Sequence, residues 1–271
     1  MKNMLLFIII CTSLMANSIN ILDTKLIGNT NIDGLSTAEL SALGYGEGKL
    51  YALNDKGVLF KLELEIKNKE IELLNYVSAS NLRGKKDKAL KKKKSDSEGM
   101  VFVDGKLLIS FERKPRVESF SLNAKKIEKI KINKDLRESS NYRAKNKMLE
   151  SIAYNTKYGL ITTPELPLTH FNECEHTLYT KKHTFALRLC GNITALEFID
   201  EDNLLILQRD MKMAIMNLST SKLTKIDTSN KYENYKFEGL TKIDKNLYLM
   251  VSDNDDAIFQ KTLFVLFEIL D

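Results

Sequence analysis

The segment Ser97-Glu98-Gly99-Met100-Val101-Phe102-Val103-Asp104-Gly105-Lys106-Leu107-Leu108-Ile109-Ser110-Phe111-Glu112-Arg113 reads as a β-hairpin. Two apolar runs flank an Asp-Gly pair, a strong short-range signal for a tight turn between antiparallel strands. Glu98 opens the first run and Glu112 closes the second. Hairpin ends lie side by side, so both carboxylates are expected at one rim of a sheet.

The same unit recurs along the chain. Ser41-Ala42-Leu43-Gly44-Tyr45 with Gly48-Lys49-Leu50-Tyr51-Ala52-Leu53-Asn54-Asp55 is a first copy, in which Ser41 replaces the leading acid. Glu150 to Tyr154 with Tyr158 to Glu165 is a third, Glu197 to Ile199 with Asn203 to Asp210 a fourth, and Glu238 to Ile243 with Asn246 to Asp253 a fifth. The leading positions 41, 98, 150, 197 and 238 stand 57, 52, 47 and 41 residues apart. That is the period of β-propeller blades joined by outer loops of varying length.

Further short alternating segments follow each hairpin and bring each of the first four copies to four strands. Examples are Val58 to Leu64, Ile71 to Val77, Val117 to Leu122 and Ile127 to Ile132. The fifth copy has three, ending in Thr262 to Ile269, while the N-terminal strand Ile19 to Ile27 is left over. Joining that strand to the last blade would close the ring and remove its open sheet edge. The expected fold is all-β, a five-bladed propeller closed by the N-terminal strand. A six-bladed ring requires a degenerate copy in a long loop. A β-sandwich also has many short strands but does not predict a phased acid-hairpin-acid unit. The polar segment from Lys134 to Met148 is expected to be loop or short helix.

Met1-Lys2-Asn3 followed by Met4 to Cys11 resembles a secretory signal peptide, too short in its apolar part to span a bilayer. Cleavage near Ala16 or Ser18 fits the small-residue rule, dividing the chain into a leader (1–18) and one domain (19–271). Cys11 as a lipoprotein cysteine is disfavoured by the bulky Ile9 and Ile10 before it. No later segment is long and apolar enough to be a transmembrane helix. Export, to the periplasm or outside the cell, leaves Cys174 and Cys190 as the remaining thiols. In an oxidising compartment they are expected to form a disulfide; the alternative is two unpaired buried cysteines. His170, His176 and His183 cluster in the outer region of the same copy and are expected to lie at the surface or pack around that loop; transition-metal binding is the alternative.

In a propeller the first strand of each blade lines the central channel, so the leading residues should share one mouth. Glu98, Glu150, Glu197 and Glu238 would converge there, with Asp55, Glu112, Glu165 and Asp253 behind them. Carboxylates in one small space repel one another unless a hard cation such as Ca²⁺, or nearby Arg and Lys, compensates. Ser252-Asp253-Asn254-Asp255-Asp256 is rich in oxygen ligands, and Arg113, Arg116, Lys147 and Arg209 border the hairpin ends. The bland alternative is that each Glu caps backbone N–H groups of the neighbouring blade. Much of the net charge of +5 lies in one run, Lys85 to Lys94. The loop from Arg83 to Lys94 ends directly at Asp96-Ser97-Glu98 and is expected to emerge at the same mouth, as a phosphate-attracting rim or as a solvated charged loop. Nucleic acid is not an expected partner, given export and the lack of interleaved aromatics. The chain holds no Gly-x-Ser-x-Gly elbow, His-Glu-x-x-His or P-loop.

Taken together, these motifs resemble the bacterial family of "esterase-like activity of phytase" proteins. The matching residues include Leu50-Tyr51-Ala52-Leu53-Asn54-Asp55-Lys56-Gly57, Asp96-Ser97-Glu98-Gly99-Met100, Phe111-Glu112-Arg113 and Asn146-Lys147-Met148-Leu149-Glu150-Ser151-Ile152. Thr163-Pro164-Glu165, Leu207-Gln208-Arg209, Phe237-Glu238-Gly239-Leu240 and Ser252-Asp253-Asn254 continue the match. The resemblance implies an exported propeller with phosphoesterase or esterase activity. By analogy with calcium-dependent propeller phytases, metal at the mouth would bind phosphate and activate water. On that reading Glu98, Glu150, Glu197, Glu238 and Asp253 hold Ca²⁺. Arg113, Lys147 and Arg209 bind a small anionic ester or phosphorylated substrate, and the protein acts as a monomer. A non-catalytic ligand-binding or scaffold propeller is the alternative.

Overall fold

The computed structural model describes residues 18–27, 39–228, 232, 234–253 and 262–270. The leader with Cys11, and positions 254–256 of the oxygen-rich run, lie outside these. Each hairpin of the repeat is the inner half of a four-stranded antiparallel sheet. The sheets are β2(Leu40–Gly46) to β5(Glu70–Asn81) through β3(Lys49–Asn54) and β4(Val58–Lys67), and β6(Ser97–Val103) to β9(Lys126–Ile130) through β7(Lys106–Phe111) and β8(Arg116–Ser121). The third blade runs β10(Leu149–Asn155), β11(Gly159–Pro164), β12(Glu175–Tyr179), β13(Thr184–Arg188). The fourth runs β14(Ile193–Phe198), β15(Asn203–Gln208), β16(Met213–Asn217), β17(Lys222–Ile226). The fifth runs β18(Lys236–Asp244), β19(Leu247–Asp253), β20(Thr262–Leu270), and its outermost strand is β1(Ser18–Ile27).

The β1–β20 pairing, from Ser18 opposite Leu270 to Ile27 opposite Thr262, closes the ring as the leftover strand predicts. Asp104 and Gly105 turn the founding hairpin with φ of 47° and 69°, the two positive values a type I′ turn needs. The Lys134 to Met148 segment carries only two short 3₁₀ turns, at Lys134–Leu136 and Ser139–Asn141.

The core lies between blades. On β7, Leu107, Ile109 and Phe111 pack against Tyr51, Leu53 and Leu59 of the first blade, whereas Leu108 turns to Leu149, Ile152 and Tyr179 of the third. Both faces of this strand are therefore buried, which is why Leu107-Leu108-Ile109 is a continuous apolar run instead of an alternating one. Burial of each such side chain contributes about 1.5–3 kcal/mol. Equivalent clusters fill the other three gaps, between blades three and four, four and five, and five and one.

Toward the axis the inner strands come too close for large side chains. Ala42, Gly99, Ser151, Ala195 and Gly239 line a channel of only about 10 Å³, room for at most one water. A Cβ on Gly99 would stand 2.6 Å from the Glu150 carbonyl and 2.7 Å from Ser110 Oγ. Ser110 Oγ itself donates to Glu150 O at 2.5 Å, tying blade two to blade three. Gly99→Ala is expected to push these strands apart and cost about 1–3 kcal/mol. Thermal unfolding checks this, and an unchanged Tm contradicts it.

Candidate functional site

At one end of each inner strand the register slips by a residue. The slips fall between Leu40 and Ala42, Ser97 and Met100, Leu149 and Ser151, Ile193 and Ala195, and Phe237 and Gly239. Such bulges leave one residue unpaired and re-aim its side chain. The residues so presented are Ser41, Glu98, Glu150, Thr194 and Glu238. A second ring follows fourteen or fifteen positions later, at Asp55, Glu112, Glu165, Arg209 and Asp253. Backbone bonds mark this equivalence: Asp55, Glu112, Glu165 and Arg209 donate their N–H groups to the carbonyls of Glu39, Asp96, Met148 and Asn192, each two residues before the leading position.

The fourth blade thus departs from its sequence reading. Glu197 is three residues beyond the leading position, and its carboxylate accepts from Lys242 N at 3.1 Å and Phe198 N at 3.0 Å. It is a cap between blades four and five, away from the mouth. Thr194 takes the leading place and donates to Phe237 O at 2.8 Å, as Ser41 donates to Ser97 O at 2.8 Å. Arg209, not Asp210, takes the trailing place. The signal was present in the sequence. The Glu197-to-Asp210 interval is one residue shorter than the shortest of the other four, and starting from Thr194 restores it.

Of the other expected acids, Glu98, Glu112, Glu150 and Glu165 come together. Carboxylate oxygens of Asp96, Glu98 and Glu112 lie within 4.8 Å of one another, as do those of Glu112, Glu150 and Glu165. Glu112 joins the two groups into one cluster of five, in which Asp96 was not foreseen as a member. Glu112 also accepts from Met148 N at 3.2 Å. Glu165, 1% exposed, receives Lys147 Nζ at 2.7 Å, Asn192 Nδ2 at 2.5 Å and Arg209 Nη2 at 3.1 Å on one oxygen. The same Arg209 nitrogen meets Glu238 at 2.7 Å. Arg113 Nε pairs with Asp96 at 2.7 Å. Arg113, Lys147 and Arg209 therefore neutralise the acids around them. Asp253 is buried and acts on Arg209 through its charge.

Glu98 and Glu150 are different. Among the described residues no group hydrogen-bonds either carboxylate, although Glu150 is only 3% exposed. Burial raises the pKa of Glu98 well above its usual range, and Glu150, Glu238, Glu112 and Asp96 raise it further. Burial does the same to Glu150, aided by Glu165 and Glu238 and opposed by Arg209. Glu112 is pushed up to about 7, by burial first and then Asp96 and Glu165. Asp55 also reaches about 7, by burial and the neighbouring Glu39. Burial alone would lower the proton affinity of Arg209, but Glu238, Glu165, Glu150 and Asp253 together raise it.

Cys174 and Cys190 are joined in a disulfide. His176, buried nearby, bonds Gly191 O through Nε2 at 2.8 Å, and His170 packs on Phe171, so packing accounts for both. Among the described residues no helix is long and apolar enough to cross a membrane.

Two expected outcomes follow from the charge balance. Arg209→Gln leaves Glu165 and Glu238 short of a cation and should cost about 2 kcal/mol, at the low end for a partly exposed pair. Adding Glu238→Gln should recover part of that loss in a double-mutant cycle. Carboxyls raised in the folded state keep protons that the unfolded chain has released. The contribution of Glu112 and Asp55 to the stability of metal-free protein is therefore full below about pH 4 and lost as pH rises through about 7. Melting curves in chelator between about pH 5 and 7.5 should show Tm falling; a rising Tm contradicts the balance.

No curated protein matches the chain in sequence. Among solved structures, the glutaminyl cyclase of Myxococcus xanthus aligns over 94% of this chain and 98% of its own at 10% identity, with a TM-score of 0.54. The PQQ-bound aldose sugar dehydrogenase of Streptomyces coelicolor aligns over 94% and 98% at 10% identity, with a TM-score of 0.49. At such identity the first likeness speaks for the fold alone. A model of the phytase-like family, described as esterase-like activity of phytase, matches residues 32–264. With that match spanning all five blades, the chain belongs to the phytase-like family.

Proposed function

We propose that this protein is an exported hydrolase of small anionic esters, phosphoesters foremost, which works at the acidic mouth with a hard divalent cation such as Ca²⁺. The observation that carries this reading is the unpartnered carboxylate of Glu150, almost wholly buried among other acids. Its desolvation is unfavourable unless a proton or a cation joins it. An all-carboxylate donor set matches the preference of Ca²⁺ for oxygen ligands. Asp96, Glu98, Glu112 and Glu150 are the residues that would hold the ion, with Glu238 and Asp253 on the flank balanced by Arg209. Glu197 has no part in the site on this reading.

Bound there, a divalent cation would polarise an ester oxygen and ease the ionisation of water. The chain's own groups supply the rest. Arg113, with 56% of its side chain exposed, and Lys147 reach solvent at the rim. There they attract and orient an anionic group while remaining paired to Asp96 and Glu165. The channel below admits no substrate, so the ester approaches and leaves by the mouth. The Cys174–Cys190 disulfide supports an oxidising, exported setting.

The test is turnover of p-nitrophenyl phosphate and p-nitrophenyl acetate with Ca²⁺ or with chelator. Activity should require metal, and Glu98→Gln and Glu150→Gln should each weaken metal affinity by about 10–100-fold while retaining the folded state. Glu197→Gln should leave metal dependence unchanged. Cation binding without turnover on either ester would reduce the site to a cation-stabilised binding propeller, and absence of any metal-induced thermal shift would sink the proposal.

A further inference from the structure

Outside the mouth, a charged concavity of about 580 Å³ lies on the flank of the second blade. Its floor is Arg116, Glu118 and Lys126, and its rim is Lys85, Lys94, Lys114, Lys129 and Arg137. Seven cations thus surround one carboxylate. Glu118 is already shared by Arg116 at 3.1 Å and Lys126 at 2.5 Å. Among the described residues, Lys85, Lys94, Lys114 and Lys129 have no acidic partner within 4.0 Å.

The floor is fixed by bonds. Arg116 donates Nη2 to Lys94 O at 2.5 Å, and Nη1 to Arg113 O and Lys114 O at 3.2 and 3.3 Å. Its guanidinium lies 3.9 Å above the Phe111 ring. This one side chain pins the end of the basic run to the 113–116 turn, so Lys94 and Lys114, both lining the pocket, are held by one fixed base. Lys129 comes from β9 and Lys85 from the loop whose Arg83 pairs with the β9 end through Lys126 N to Arg83 O at 2.8 Å. Four separate backbone segments therefore aim like charge into one hollow.

From this arrangement we infer a binding site for a compact anion bearing several phosphoryl groups, separate from the acidic mouth. Unpaired ammonium groups in a concave wall concentrate field lines and favour a ligand of high charge density. Its volume lies in the range of small-molecule sites. The lining includes no aromatic ring on which a base could stack, so a nucleic acid strand is not the fitting occupant. Being concave, the site suits a free oligophosphate better than a headgroup held in a flat membrane. The mouth and the pocket share a wall: Lys94 lines one and Asp96 the other, as do Lys114 and Arg113.

The test is calorimetric titration of the full mature protein with tripolyphosphate in chelator, so that no metal at the mouth can recruit the anion. Binding should weaken as salt rises. The rim variant K85Q/K114Q/K129Q should lose at least about tenfold in affinity, whereas K49Q/K181Q/K225Q, with the same charge change on other blades, should lose less than about twofold. All six lysines are exposed, so both variants are expected to fold. Equal losses in the two variants would mean diffuse surface charge and overturn the site. So would absence of tripolyphosphate binding by the wild type, including the case where only phosphatidylglycerol vesicles bind. Because metal is withheld, these outcomes are independent of whether the mouth hydrolyses esters.

Discussion

The architecture of the mouth depends on one backbone irregularity repeated five times. Each inner strand slips register by a residue at the same end, and the slip points one side chain toward the axis while the next residue, small in every blade, lets the neighbouring strands touch. Where the presented residue is Ser or Thr, its hydroxyl reaches the next blade's carbonyl and acts as a stitch. Where it is Glu, the longer side chain cannot lie flat in that gap and its carboxylate goes into the mouth. A hydroxyl at positions 41 and 194 and a carboxylate at 98, 150 and 238 thus divide structural from chemical work. The substitution of one for the other costs little backbone rearrangement, because the bulge is common to both.

Charge sets the second constraint. Carboxylates on neighbouring strands this close are tolerable only with protons, cations or a mixture. The protein uses arginine for part of the ring: Arg209 occupies the trailing position of the fourth blade, where the other blades carry acids, and spans Glu165 of the third blade and Glu238 of the fifth. Lys147 and Asn192 complete the neutralisation of Glu165. Around Glu98 and Glu150, among the described residues, no side chain hydrogen-bonds the carboxylates, and Arg209 offsets only part of the charge beside Glu150. The asymmetry divides a pseudo-fivefold ring into a self-compensated half and a half that depends on protons or on an ion from solution.

Much of this was legible in the residues. The Asp-Gly hairpin, its recurrence at blade spacing and the leftover N-terminal strand follow from alternation and turn chemistry, which are local properties. Convergence of Glu98, Glu150 and Glu238 followed from the repeat alone. The fourth blade was misread because residue type was allowed to set the register: Glu197 and Asp210 look like the acids of the other copies, whereas Thr194 and Arg209 hold their places. Bulge position is a matter of backbone pairing and small-residue packing, and Ala195 was the better guide to it than Glu197. The roles of Lys147 and Arg209 were not legible either, because whether a basic residue binds a ligand or neutralises a neighbour is decided by distances that spacing does not give.

The basic run from Lys85 to Lys94 looked in the sequence like a rim of the mouth, since it runs straight into Ser97 and Glu98. Arg116 explains why it is not. By accepting the guanidinium at its carbonyl, Lys94 is drawn outward to the 113–116 turn, and the chain then reverses through Ser95 and Asp96 to enter the acidic cluster. Opposite charges are thereby placed on the two sides of a wall a few residues thick. One half-buried arginine on the flank therefore anchors the end of the basic run on the pocket side of that wall, two residues before the chain supplies Asp96 to the acidic cluster.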